Sequence, residues 1–182
     1  GFFVLNGSAG RGKTFTLKVI LDMLTEGYFR KGKSLQVDIF APTGKASKVA
    51  SKATGRECKT VHRGLGFNPS IDGNFEYNEF NKLSSDVLVI DETSMLDLLL
   101  ADSLFKAIES GTKVILVGDF KQLKSVGAGN VFMDIINSDK IKVVTLDVPK
   151  RQNLLSGINK NANKIIDYQM IETCQDTGDA YL

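Results

Sequence analysis

FFVLNGSAGRGKTFTLKVILDMLT, residues 2–25, decides the fold. Residues 2–6 form an apolar run that stops at Gly7, the pattern of a short buried strand. Residues 13–25 place apolar side chains at Phe15, Leu17, Val19, Ile20, Met23 and Leu24, near the 3.6 period of a helix. Between them GSAGRGKT, residues 7–14, matches Gly-x4-Gly-Lys-Ser/Thr, a loop that surrounds phosphate with backbone N–H groups. Glycines let successive N–H groups turn inward, and the following helix aims its positive end at the same anion. Gly7, Ala9, Gly10, Arg11 and Gly12 would make the cradle. Lys13 would add a point charge on the β- and γ-phosphates, and the Thr14 hydroxyl would hold Mg²⁺. The loop therefore predicts binding of a magnesium–nucleoside triphosphate, with ATP the expected ligand.

Outward from this unit, apolar runs alternate with helical patterns. Strands are expected at residues 35–41, 87–91, 113–119 and 142–146, and helices at 45–53, 95–109, 128–137 and 155–168. VLVID, residues 87–91, shows no polar alternation, as expected of a strand covered on both faces. This order predicts an α/β fold, a five-stranded parallel sheet between two helix layers. Residues 64–85 break the pattern: Asn68-Pro69 and Asp72-Gly73-Asn74 are turn signals between aromatics, so a small hairpin insert is expected. Residues 1–170 read as one nucleotide-binding domain, and 171–182 as a tail leading toward a missing partner.

The bulk properties agree. The chain has 182 residues, 42% hydrophobic and 24% charged, as in one ordinary globular domain. No apolar run approaches the ~18 residues that span a bilayer, so no membrane association is expected. The first residues do not read as a signal peptide; they begin abruptly at a core strand, as in a piece of something longer. Cys58 and Cys174 are far apart and make neither a metal spacing nor a disulfide framework, which predicts a reducing, cytoplasmic setting and no zinc site. The net charge of +2 is uneven: residues 30–63 hold nine basic residues against Asp38 and Glu57, a local +7 that leaves −5 elsewhere. Such a field suits a polyanion, although a solvated helix face would look the same.

Four further segments carry candidate chemistry. Asp91 and Glu92 end the 87–91 strand, placing one carboxylate to hold Mg²⁺ and the next to act as general base toward water. Asp91 or Thr93 could equally cap the helix that follows. VGDFKQL, residues 117–123, puts the Gln122 amide where it could accept from water and donate to phosphate. Arg151, just past the fifth strand, could reach a γ-phosphate as a charge stabiliser, or simply be solvated. APTGKASK, residues 41–48, and TVHRGLG, residues 60–66, supply a helix start, hydroxyls and bases, the usual readers of a phosphate backbone. His62 taken alone is more often a packed side chain than a ligand.

In this order, GSAGRGKT, APTGKASK, TVHRGLG, VIDETSMLD, VGDFKQLKSVGAG and KRQNLLSGI resemble motifs I, Ia, Ib, II, III and IV of superfamily-one DNA helicases of the RecD/Dda kind. The likeness runs over residues 1–165. It implies a RecA-like domain whose strands lie in the order 5-1-4-3-2. It implies nucleotide work by Lys13, Thr14, Asp91 and Glu92, coupling by Gln122, and a γ-phosphate contact from Arg151. Pro42, Thr43, Gly44, Lys45, Thr60, His62 and Arg63 would lie along single-stranded DNA, followed 5′ to 3′. The 64–85 insert would be a separation pin, with Phe67, Phe75 and Tyr77 meeting the duplex junction or packing on their own domain. Arg11 stands where threonine is usual, and Lys124 and Ala128 replace common prolines. No adenine-reading glutamine precedes the first strand and no second RecA-like domain follows, so this chain alone is expected to bind nucleotide weakly and not to unwind DNA. Two other classes compete: a P-loop switch that changes partners without translocating, and a small-molecule kinase, for which an arginine-rich lid is lacking.

Overall fold

The computed structural model describes residues 1–69, 75–122 and 125–147. Six parallel strands form one sheet: β1 Phe2–Gly7, β2 Val37–Ala41, β3 Lys59–Thr60, β4 Val87–Ile90, β5 Lys113–Gly118 and β6 Lys142–Leu146. Their order is β3-β2-β4-β5-β1-β6. The five expected strands keep their expected neighbours. The correction is a sixth: β3 extends the edge beyond β2, pairing Phe40 with Lys59 and Ala41 with Thr60. Two polar residues carry no apolar run, so nothing in the pattern marks them as a strand.

The strand interiors show why the sheet is buried on both sides. In β4 all four residues are buried. Val87 and Val89 join Leu5, Leu17, Leu21, Ile39 and Val117 on one face. Leu88 and Ile90 join Val4, Phe40, Leu104, Leu116 and Phe132 on the other. This period-2 alternation between two apolar layers is what a fully covered parallel strand requires.

Among the described residues five helices cover the sheet: α1 Lys13–Phe29, α2 Gly44–Thr54, α3 Val61–Gly64, α4 Leu98–Lys106 and α5 Val131–Asn137. Capping sets their starts. Thr43 accepts from Ala46 N–H at α2, and Asp97 accepts from Leu100 N–H at α4. Asp97 also explains why the single helix expected over 95–109 is split. A 3₁₀ turn, Thr93–Met95, comes first, Leu96 is extended, and the α-helix begins after the cap. The helix expected from residue 128 starts later because Ala128 C=O accepts from Leu98 N–H instead. Within the 64–85 segment, Phe67 and Phe75 make an antiparallel bridge, while Phe75 and Tyr77 pack on the domain core. The helix expected over 155–168 and the tail lie outside the described residues. Among the described residues no helix is long and apolar enough to cross a membrane.

Candidate functional site

The loop of residues 7–14 joins the end of β1 to the start of α1, at the C-terminal edge of the sheet. Gly10 and Gly12 have φ of 77° and 85°, conformations that a side chain would strain. α1 starts at Gly12 with no side-chain cap and no acid in its first turn, so its positive end is left for an anion. The Lys13 ammonium donates to Gly7 C=O at 2.6 Å and leans on Ser8 C=O at 3.5 Å, which fixes it across the loop. A side chain at Gly7 would stand 3.1 Å from Leu146 Cβ, so β6 packs directly against the loop's first residue.

β4 delivers the two acids opposite this loop. Asp91 is buried and accepts from Glu92 N–H at 3.0 Å. Burial, and then the neighbouring Glu92 charge, push its pKa up to about 6 against the opposing pull of that N–H and of Lys13. Glu92 sits in the left-handed region, φ 51° and ψ 40°. Its Oε2 is buried without a hydrogen-bond partner among the described residues. A strained backbone and an orphaned carboxylate oxygen are costly, and they concentrate where a protein uses the group. With Thr14 nearby, these hard oxygen donors have the chemistry that suits Mg²⁺.

Both elements open into one cavity of about 760 Å³, lined by Ser8, Ala9, Gly10, Gly12, Lys13, Thr14, Asp91, Glu92 and Gln122. Phe15, Thr43, Lys45, Ala46, Val49 and Met95 complete the wall. Gln122 reaches it on a tight turn: Asp119 carboxylate accepts from Lys121 N–H, and Asp119 C=O accepts from Gln122 N–H. A smaller cleft of about 210 Å³ runs along the β2 edge, by Gln36, Arg56 and Lys59, away from both acids. Arg11 flanks the loop without lining the main cavity. Arg151 lies outside the described residues.

The candidate nucleic-acid residues separate into two groups. Thr43 and Lys45 line the same cavity as the phosphate loop, with Pro42 and Gly44 on either side of Thr43. Thr60, His62 and Arg63 sit at β3 and α3 on the sheet edge. The Thr43 and Thr60 oxygens accept helix N–H groups as caps, which leaves each hydroxyl hydrogen to donate. His62 packs edge-on to Phe67 at 5.6 Å and tilted to Phe75 at 5.8 Å, so it is a member of an aromatic cluster. The basic stretch is not one patch. Arg30, Lys31 and Lys33 follow the far end of α1, about 25 Å from the phosphate loop at 1.5 Å per helical residue. Arg56 is spent on Thr25 and Asp22 of α1. Lys45, Lys48 and Arg63 are exposed, and of the three Lys45 lines the cavity.

The sequence reading passed over Asn6, Phe15, Val49 and Met95. Asn6 is the polar end of an apolar strand, a visible signal. Phe15 falls on a helical apolar period and looks like core, yet it is 69% exposed.

Residues 1–177 match the family described as AAA domain. RecBCD enzyme subunit RecD of Mycolicibacterium smegmatis is 37% identical over 153 residues, which are 75% of this chain and 28% of that protein. The ATP-dependent RecD2 DNA helicase of Deinococcus radiodurans is 40% identical over 126 residues, 69% of this chain and 16% of that one. The chain thus spans less than a third of these relatives' length. Among solved structures, a Pif1 helicase from a study of unwinding at forked double-stranded DNA superposes with a TM-score of 0.60 at 23% identity, over 93% of this chain and 45% of the other. Bacteroides Pif1 bound to single-stranded DNA gives 0.58 at 23% identity, over 96% and 44%. At that identity the likeness is one of fold.

Proposed function

The chain belongs to the AAA domain family, and on that premise we propose that it is the first motor domain of an ATP-dependent DNA helicase. The observation that carries the reading is the shared cavity. The phosphate loop, the two acids, Gln122 and the Thr43–Lys45 helix start all open into it. A change at the triphosphate therefore has a short path to a strand held at α2.

In this reading Lys13 and the loop N–H groups bind the β- and γ-phosphates, and Thr14 and Asp91 would hold Mg²⁺. The bound ion would supply positive charge to the phosphate oxygens. Glu92, strained toward the cavity, takes the proton from the attacking water as its oxygen bonds to the γ-phosphorus and the bond to ADP breaks. Gln122 orients that water, and Arg151 reaches the γ-phosphate. Pro42, Thr43, Gly44, Lys45, Thr60, His62 and Arg63 line one strand of DNA, followed 5′ to 3′. Residues 64–85 meet the duplex junction, and a second RecA-like domain closes the ATP cleft. Phe75 and Tyr77 are partly buried against the core, which leaves Phe67, 41% exposed, as the one of these three that would touch a base.

The test is ATP hydrolysis by the full-length protein with and without single-stranded DNA, beside Lys13→Ala. Strong stimulation that Lys13→Ala abolishes is the expected result. A Lys13-dependent rate indifferent to DNA would replace the motor with a nucleotide switch.

A further inference from the structure

We propose that Asn6 is a positioning residue that ties the phosphate loop to the Gln122 turn and so sets the rate of hydrolysis. The inference rests on the helicase-motor reading of the cavity and adds a residue to it. Asn6 is 2% exposed and occupies the last β1 position before Gly7. It lies between Gly118 of β5 and Thr145 of β6. Its Oδ1 accepts from Phe120 N–H at 3.3 Å, and its Nδ2 donates to Thr145 Oγ1 at 3.3 Å.

Asn6 therefore links three segments: the phosphate loop through the main chain, and the Phe120 turn and β6 through its side chain. Gly7, next in the chain, accepts the Lys13 ammonium. Phe120 is the second residue of the Asp119–Gln122 turn that brings Gln122 to the cavity wall. Thr145 precedes Leu146, whose main chain lies against Gly7. An apolar residue would fill this strand position equally well for packing. Only a polar side chain that accepts from Phe120 N–H and also bonds the Thr145 hydroxyl holds the two together. A buried polar group in an interior strand is tolerable when both ends are satisfied, as here.

Without that acceptor the turn loses its anchor to β1 and Gln122 drifts from the water it orients. A displacement of about 1 Å is enough to cost a large factor in rate. The triphosphate cradle itself stays intact, because no cradle N–H group depends on Asn6.

The experiment compares Asn6→Ala, Gln122→Ala and the double variant in the full-length protein, with wild type as reference. Asn6→Ala should lower kcat by roughly ten-fold or more while KM for ATP and fluorescent-nucleotide affinity change less than about two-fold. The Asn6→Ala and Gln122→Ala losses should not multiply, because both act through one amide. Asn6→Asp keeps an acceptor for Phe120, lets the Thr145 hydroxyl turn and donate, and should recover part of kcat. If Asn6→Ala does not fold, Thr145→Val removes the other anchor without touching β1 and should give a milder form of the same pattern. Losses that multiply in the double variant, or a raised KM with unchanged kcat, would overturn the proposal. A wild-type rate indifferent to single-stranded DNA defeats the helicase reading alone, since the cycle is then read on basal hydrolysis.

Discussion

Replacing Asp91 with asparagine should make the protein more stable and unable to hydrolyse ATP. Burial raises the Asp91 pKa from 3.8 to about 6. Two units at ~1.36 kcal/mol each put the cost of carrying its charge at about 3 kcal/mol, an upper figure because water and local motion relax it. The folded state holds the proton more tightly than the unfolded chain. Between pH 3.8 and 6 the folded state therefore binds more protons, and stability falls as pH rises through that window. Above it the full cost is present; below it the carboxyl is neutral in both states and the cost is gone. Asparagine is a neutral isostere that still accepts from Glu92 N–H. At pH 7.5, without nucleotide or Mg²⁺, Asp91→Asn should gain roughly 1–3 kcal/mol, or about 3–10 °C in Tm for a domain of this size. At pH 4 its advantage over wild type should nearly vanish. Thermal unfolding at the two pH values reads both effects, and Mg²⁺–ATP should raise the wild-type Tm more than that of the variant. A variant no more stable than wild type at pH 7.5, or equally favoured at pH 4, would refute the reasoning.

Three other outcomes follow from the geometry. A Cβ at Gly64 would stand 2.4 Å from the fully buried Phe40 ring, so Gly64→Ala should cost on the order of 1–3 kcal/mol in urea unfolding. Neutralising Lys45, Lys48 and Arg63 together should weaken single-stranded DNA binding and reduce the slope of log K against log salt by about 2; an unchanged slope would remove them from the track. Burial, and next the charge of Asp91, push the Cys58 thiol up to about 12, so alkylation by iodoacetamide at pH 8 should be far slower than for a free thiol and should accelerate only on unfolding.

Much of the frame was readable because its physics is local. Continuous apolar runs announce buried parallel strands, and the glycine–lysine loop announces its own conformation. What escaped depends on distant partners. β3 exists only because Phe40 and Ala41 offer it an edge. A packed His62 is the commoner expectation, but its partners are not legible: Phe67 and Phe75 meet it only because the bridged segment folds back. The basic residues of 30–63 are neighbours in sequence, yet one helix length separates them in space and Arg56 is bound to Thr25 and Asp22 of α1. The split before α4 hid behind a run of leucines: Leu98 and Leu99 continue the apolar pattern but are 56% and 81% exposed, and Asp97 decides the boundary. The left-handed Glu92 has no signature at all, since strain is imposed by the surroundings.

The place of β1 between β5 and β6 has a consequence for synthesis. Leu5 pairs with Val117 on one side and Val144 on the other. At 5–20 residues per second, roughly 6–22 s pass on the ribosome between translation of Leu5 and of Val117. Through that interval FFVLN has neither neighbour, and its apolar edge is open to any strand that drifts by. Such long-range pairing is also slow to nucleate. The phosphate loop hangs from this strand, so the part of the fold that meets nucleotide is among the last to be completed. A nascent chain that first captures nucleotide has thereby reported that its sheet is closed.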